Sequence, residues 1–457
     1  MKPSIKVHFL GAAQTVTGSK FLIETDEMNI LIDCGMFQGL KELRLLNWEP
    51  FPFPPENIDI ILLTHGHLDH TGYLPKLMIQ GYKGPIIGSG PTLNIASIIL
   101  RDSAKIQEEN AEKANEEGTS IHNPAKPFYT VEDAENTINY FQEVEVETWI
   151  ELTPNIQYKF RKNGHIIGST FIELKIGKKI LVFSGDIGRA KDKLLAPPQK
   201  PEAADYLFLE STYGDRLHPK EDVEEILIAA VKQVLASKGN VIIPSFAVER
   251  LQTLMYILWK LYQKNKLPKI PIYIDSPMGN EVFHAFERFP SWHIIPPEEL
   301  QKMKNHFNII TSYKDTWKTL DNTRPKIVIA GSGMVTGGRV LTYLRYLISK
   351  PETIVILVGF QAEGTRGRTL QEGAKELKIF GNYCKVKASI KNIESLSAHA
   401  DQEELLDWLS NIKKTPEKTF LIHGERLAMD ALRLKIKDNL HWPVQIPHLN
   451  EIITLDL

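Results

Sequence analysis

Short, almost unbroken runs of isoleucine, leucine and valine recur through the 457-residue chain, each ending abruptly in a small, acidic or histidine residue. They are Asn29–Cys34, Ile58–Thr64, Lys179–Asp186, Tyr206–Thr212, Asn240–Phe246, Lys326–Ser332, Thr353–Gln361 and Thr419–Glu425. A strand that is apolar at consecutive positions has no face to give to water, so it must be covered on both sides. Helical patterns lie between many of the runs, at Thr92–Gly118, Glu221–Lys238, Ala247–Lys264, Gln402–Ile412 and Glu425–Asp438. Strands alternating with helices predict an α/β architecture, in which functional groups gather just beyond the carboxyl ends of strands. The chemically unusual residues of this chain stand at those ends. At about 150 residues per domain the length suggests two or three domains. No repeat or low-complexity linker marks their boundaries, and Leu195–Glu202 and Lys264–Pro271 read as surface loops.

A net charge of −2 provides no global positive field for a polyanion, so nucleic acid would need a local basic cleft. The two cysteines, Cys34 and Cys384, flank apolar runs and read as buried thiols rather than a disulfide framework. The segment Met1 to Leu10 has no apolar targeting core and reads directly into a strand. No apolar run approaches the roughly 20 residues of a membrane span. A cytoplasmic location is the resulting expectation.

The densest chemistry is Thr64-His65-Gly66-His67-Leu68-Asp69-His70, directly after the run Ile58–Leu63. In extended chain, residues two apart face the same way, so His65 and His67 can address one ion. Asp69 and His70 follow as the chain turns towards the helix carrying Tyr73 to Met78, and can serve a second. Imidazole and carboxylate donors suit zinc. His165 stands in the Gly-flanked turn Asn163–Ser169, where a lone histidine is more often a loop residue than a ligand. Asp186 ends Lys179–Phe183 with a carboxylate able to bridge two cations, and Asp33 is placed to orient a ligand histidine from behind.

The ordered series Asp33, His65-x-His67-x-Asp69-His70, His165 and Asp186 resembles the metallo-β-lactamase superfamily. Glu210-Ser211-Thr212-Tyr213-Gly214, Leu396-Ser397-Ala398-His399-Ala400-Asp401 and Ile422-His423-Gly424-Glu425 narrow the resemblance to its β-CASP branch of nucleases, over about Val7 to Glu425. The resemblance implies a four-layer αββα domain at residues 1–208 and 391–457, with an α/β β-CASP domain inserted at 209–390 and substrate lying between the domains. It implies two zinc ions, one on His65, His67 and His165, the other on Asp69, His70 and His423, with Asp186 bridging. It further implies a metal-activated hydroxide aimed at phosphorus, His399 as the acid that protonates the leaving oxygen, and Glu210 orienting it. Asp69, His399, Glu210 and Asp186 are thus the expected catalytic residues, and the products carry a 5′ phosphate and a 3′ hydroxyl.

In the insertion, Ala330-Gly331-Ser332-Gly333-Met334 and Gly359–Arg368 follow strands. Gly-rich turns present N–H groups to phosphate, and nearby arginines can grip it. The resemblance favours Ser332, Gly333, Arg366, Arg368 and Arg250 as phosphate or RNA contacts. At Phe246-Ala247-Val248-Glu249-Arg250 the chain departs from the family, whose members usually carry glycine before the arginine. The expected activity is cleavage of single-stranded RNA, as an endonuclease with 5′-to-3′ exonuclease action left open. His423 favours RNA, since DNA-directed relatives usually lack a histidine there. A DNA nuclease of the repair type and a catalytically silent RNA-binding subunit are the alternatives. A homodimer is one assembly open to such a minimal nuclease.

Overall fold

The computed structural model describes residues 4–118 and 122–456. The chain forms two compact units, Met1–Leu217 with His399–Leu457, and His218–Ala398. Both divisions fall later than the sequence-based 208/209 and 390/391. The strands Tyr206–Glu210 and Ser389–Ile393 span those points, and a strand bonded into one sheet cannot be shared between units.

The first unit holds two seven-stranded sheets. One is ordered Ile452–Asp456, Ser4–Phe9, Phe21–Glu24, Asn29–Ile32, Ile60–Leu62, Ile86–Gly88, Phe141–Glu143. The other is ordered Val444–Gln445, Lys418–Ile422, Tyr206–Glu210, Lys179–Phe183, Thr170–Ile176, Ile156–Lys162, Ile150–Thr153. Alternate residues of each strand point to opposite faces. Val7, Phe9, Ile23, Ile32 and Leu62 therefore share one core with Phe160, Ile172, Phe183, Phe208 and Phe420 of the other sheet. Phe208 stacks on Phe183 and Phe420 at centroid distances of 4.2 and 5.0 Å, and Phe9 reaches Phe420 at 5.4 Å. The intervening residues face outward onto helices. Leu22, Leu31 and Ile61 meet Leu74, Leu77 and Leu93, while Leu207, Leu209 and Leu421 meet Leu405, Trp408 and Met429. Helix, sheet, sheet and helix make the four-layer αββα arrangement.

Strand direction is what places the site. Asn29–Ile32, Ile60–Leu62 and Ile86–Gly88 run parallel, as do Lys179–Phe183, Tyr206–Glu210 and Lys418–Ile422. Pairing Glu210 with Ile422 carries His423 to the end of the Glu210 strand, where its carbonyl accepts from the Ser211 amide.

The second unit is a six-stranded parallel sheet ordered Asn308–Ile309, Ile272–Asp275, Lys326–Ala330, Asn240–Pro244, Ile354–Val358, Ser389–Ile393. One face packs Ile242, Val328 and Val355 against Val340, Tyr343 and Leu344 of the helix Val340–Leu347, and against Leu377, Ile379 and Cys384 of the hairpin Glu376–Lys385. Among the described residues no helix is long and apolar enough to cross a membrane.

Candidate metal centre

Strand ends of the first unit bring seven ligand-type side chains together. His65 follows Ile60–Leu62, and the chain stays extended through His67 (φ −62°, ψ 154°), which opens the short helix Leu68–Thr71 bearing Asp69 and His70. This helix stops at Gly72, and a separate helix runs Leu74–Ile79. His65 Nε2 lies 3.1 Å from His67 Nδ1, and His165 Nε2 lies 3.3 Å from the same atom. A ring nitrogen has one lone pair or one proton, so His67 Nδ1 cannot bond both neighbours, and the three nitrogens converge on a common point. Asp186 Oδ2 is 3.4 Å from His65 Nε2 and 3.6 Å from His165 Nε2. A tetrahedral zinc with Zn–N of about 2.0–2.1 Å needs ligand atoms about 3.3–3.4 Å apart, and these separations fit.

A second group shares Asp186. Asp69 Oδ2 lies 3.4 Å from His423 Nε2, and Asp186 Oδ1 lies 3.3 Å from His70 Nε2 and 3.4 Å from His423 Nδ1. His70 Nε2 and Asp186 Oδ1 are buried without a hydrogen-bond partner among the described residues. Buried polar atoms rarely stay unpaired, and a cation between them satisfies both. The donors of His65, His67, His165 and Asp186 lie within 4.8 Å of one another, as do those of Asp69, His70 and His423.

The protonation states follow from burial and charge. Burial holds His65 well below the ordinary imidazole range and His67 down to about 4, leaving both neutral, as a ligand must be. Burial also lowers His70, but the carboxylates of Asp186 and Asp33 outweigh it and hold this ring well above its ordinary value. A cation at the same place takes over the role of countering Asp186. Burial raises the Asp186 carboxyl, yet His423, His70 and His65 together hold it well below the carboxylate range.

Asp33, at φ 57°, is fixed by the Thr64 amide on Oδ1 and the Thr64 hydroxyl on Oδ2, both at 2.7 Å. Its Oδ2 also lies 2.7 Å from His70 Nδ1, which turns Nε2 inward. Thr64, Asn163, Ser184 and Thr212 carry supporting contacts that sequence reading missed. Asn163 Nδ2 donates to the Ser184 and Asp186 carbonyls at 2.6 Å, and the Thr212 hydroxyl lies 3.2 Å from His423 Nδ1. Gly185 (φ 53°) lets the Asp186 turn close onto Thr64, whose Cβ a side chain at 185 would meet at 2.8 Å. Lys20, also missed, braces the turn after Asp33: its buried ammonium, lowered to about 8 by burial, donates to the Gly35 carbonyl at 2.7 Å and sits 4.2 Å over the Phe37 ring.

Beside these groups, His399 Nδ1 lies 3.3 Å from Glu210 Oε1 and 4.0 Å from Asp186 Oδ2. Glu210 is fully buried and itself held, accepting from the Ile187 amide at 2.6 Å and the Thr212 amide at 3.3 Å. Burial lowers the His399 imidazole, but Glu210, joined by Asp186 and Asp69, outweighs this and raises it. Asp401 caps the helix Gln402–Trp408, and His399 stands before its first turn.

Three family profiles match the chain: a metallo-β-lactamase superfamily domain over residues 22–201, a β-CASP domain over 251–370, and a zinc-dependent metallo-hydrolase RNA specificity domain over 383–447. A ribonuclease of Thermus thermophilus is 36% identical over 92% of this chain and 94% of its own. An RNase J-like protein of Methanocaldococcus jannaschii is 32% identical over 99% and 100%. The chain belongs to the β-CASP family of metallo-β-lactamase-fold ribonucleases. It is a metal-dependent hydrolase. A transcription termination factor of M. jannaschii is 30% identical over 97% of this chain and 71% of that one. A crystal structure of a protein of unknown function from Enterococcus faecalis V583 shares the fold, with a TM-score of 0.54, 14% identity, and coverage of 99% and 100%.

The β-CASP residues named for phosphate contact lie in the second unit with other partners. Arg366 donates from Nε to the Lys378 carbonyl at 2.7 Å and from Nη1 to the Thr336 carbonyl at 3.0 Å, and Arg368 Nε pairs with Glu372 at 2.7 Å. Ser332 Oγ lies 3.0 Å from Thr336 Oγ1, Gly333 packs against the Phe246 ring, and Arg250 is buried at the start of the helix Arg250–Gln263. The β-CASP family's usual glycine before that arginine has a physical reason. Glu249 sits at φ 65°, ψ −57°, with the Arg250 amide donating to the Val248 carbonyl at 2.8 Å. That is a γ-turn with its central residue at positive φ, a strained state for a residue with a Cβ. Glu249→Gly is expected to raise the unfolding free energy by on the order of 1 kcal/mol. A lower denaturation midpoint would show that the Glu249 side chain contributes more than its backbone costs.

Proposed function

We propose that this chain hydrolyses phosphodiester bonds of single-stranded RNA with two zinc ions, leaving 5′ phosphate and 3′ hydroxyl ends, as an endonuclease. The observation that carries the reading is the convergence of His65, His67, His165 on one side of Asp186 and Asp69, His70, His423 on the other, with the His399–Glu210 pair alongside. Two zinc ions held there would supply Lewis acidity and lower the pKa of water to near neutrality. The chain's own residues do the rest. Asp33 and Thr64 fix the ring of His70, burial keeps His65 and His67 in the neutral ligand form, and Asp186 supplies the carboxylate common to both groups. His399 holds a proton for the departing 3′ oxygen, and Glu210 orients the ring and favours its protonated form. Names of the relatives, ribonuclease and RNase J-like protein, support RNA as the substrate.

The test is incubation of 5′-labelled single-stranded RNA and the same-sequence DNA with the protein, with and without chelator. Cutting of RNA alone that stops with chelator and returns with zinc is the expected result, and an internal ladder marks endonuclease action. Preference for DNA would move the protein to the repair type, and cutting that persists without metal would overturn the metal-centre reading.

A further inference from the structure

A general acid is useful only if its proton is delivered at a fixed place, and the segment bearing His399 is held by a carboxylate outside the two groups that share Asp186. Glu404 occupies the third position of the helix Gln402–Trp408 and closes a capping box with Asp401: the Glu404 amide donates to Asp401 Oδ1, and Glu404 Oε2 accepts from the Asp401 amide, each at 3.1 Å. A capping glutamate ordinarily stops there. This one reaches across to the loop that follows Asp186. Its Oε2 accepts from Arg189 Nε at 2.7 Å and its Oε1 from the Ala190 amide at 3.1 Å. Both side chains are about four-fifths buried, where a charge-assisted pair is screened less than on the surface.

A main-chain bond runs beside this clamp, from the Ala400 amide to the Ile187 carbonyl at 2.8 Å. The Ile187 amide in turn donates to Glu210 Oε1, the oxygen that faces His399 Nδ1. Gln402 ties the same helix start to the Glu210 loop, donating from Nε2 to the Gly214 carbonyl at 2.6 Å and from its amide to the Arg216 carbonyl at 3.1 Å. The first turn of this helix therefore joins the loops of Asp186, Glu210 and His399, and Glu404 is the carboxylate that bonds to the loop after Asp186.

We propose that Glu404 is a positioning residue that, by clamping Arg189 and Ala190 to the helix start, fixes His399 relative to Asp186. This rests on the reading of His399 as the acid. Loss of the clamp lets His399 drift while the metal ligands keep their places, so the damage falls on protonation of the leaving group.

The leaving group can be varied to test this. The 3′ oxygen of RNA needs a proton, whereas the phenolate of bis(p-nitrophenyl) phosphate departs without one. The zinc-loaded full chain, Glu404→Ala, Glu404→Gln and His399→Ala are assayed on both substrates, with metal content and thermal midpoint recorded for each. Glu404→Ala is expected to lower the ratio of RNA to nitrophenyl-ester rate by about 10-fold or more, within the roughly 100-fold that a misplacement of about 1 Å can cost. Glu404→Gln, which keeps one acceptor oxygen, should fall between it and the parent. A ratio equal to the parent's in both variants overturns the proposal, whether the rates themselves fall together or not at all. His399→Ala separates the two levels. A selective loss there with none in the Glu404 variants overturns the positioning role alone, while an unchanged ratio in His399→Ala overturns the general-acid reading and the proposal with it.

Discussion

Asp186→Ala is expected to strip metal from both halves of the centre and to slow RNA cleavage by at least about 100-fold, since metal chemistry contributes several kcal/mol to such barriers and each 1.36 kcal/mol is tenfold. The reason is its place. Among the described residues, Asp186 is the one carboxylate within 3.6 Å of histidines from both groups, reaching His65 and His165 through Oδ2 and His70 and His423 through Oδ1. Without it, five closely packed imidazoles would have to hold two divalent charges with Asp69 as the remaining ligand carboxylate. Asp186→Asn separates charge from packing: it preserves the shape and the Asn163 contact to the main chain, and is expected to lose metal nearly as fully. Metal per chain is measured by atomic emission on protein reconstituted with excess zinc and desalted, beside the rate on labelled RNA. Two ions retained in Asp186→Ala would show that the two groups do not share this residue.

How much of this was legible in the sequence depends on which force places each residue. Tyr206–Glu210, Lys326–Ala330 and Ile354–Val358 are buried at every position, and continuous apolar runs announce that state. The strands Ile156–Lys162 and Thr170–Ile176 did not stand out, because Gln157, Lys159 and Arg161 interrupt the first and Glu173 and Lys175 the second. Glu173 is nonetheless buried, pairing with Lys159 at 2.6 Å and Arg161 at 3.3 Å, a cross-strand arrangement invisible until the hairpin register is known. The helices Pro277–Arg288 and Val340–Leu347 were missed for a related reason, opening beside proline or glycine turns that read as loop. At the centre itself, ligands stand out because histidines are rare and cluster after a buried strand. Thr64, Asn163 and Ser184 do not, since a common polar residue gains its role from whichever strand end lies opposite. Arg366 adds what a sequence does not show: its Nε and Nη1 hold the Lys378 and Thr336 carbonyls, a main-chain role that a guanidinium with five donors can fill beside any phosphate contact.

His399→Ala is expected to leave the zinc content intact and slow RNA cleavage by about 100-fold or more, the usual scale for losing a general acid. The competing role is that of a ligand, for Asp186, Glu210 and His399 also lie close enough to share a cation. The hydrogen bonds of Glu210 argue against it. Oε1 already accepts from the Ile187 amide at 2.6 Å and Oε2 from the Thr212 amide, so the carboxylate is oriented by main chain and faces His399 as an acceptor. The His399 ring turns Nδ1 to that carboxylate at 3.3 Å, nearer than the 4.0 Å to Asp186 Oδ2, so it is held as a donor to Glu210. Zinc per chain and rate therefore have to part company in this variant, as they do not in Asp186→Ala. Loss of an ion together with activity would make His399 a ligand, and parental rates with both ions bound would leave the leaving oxygen to some other acid.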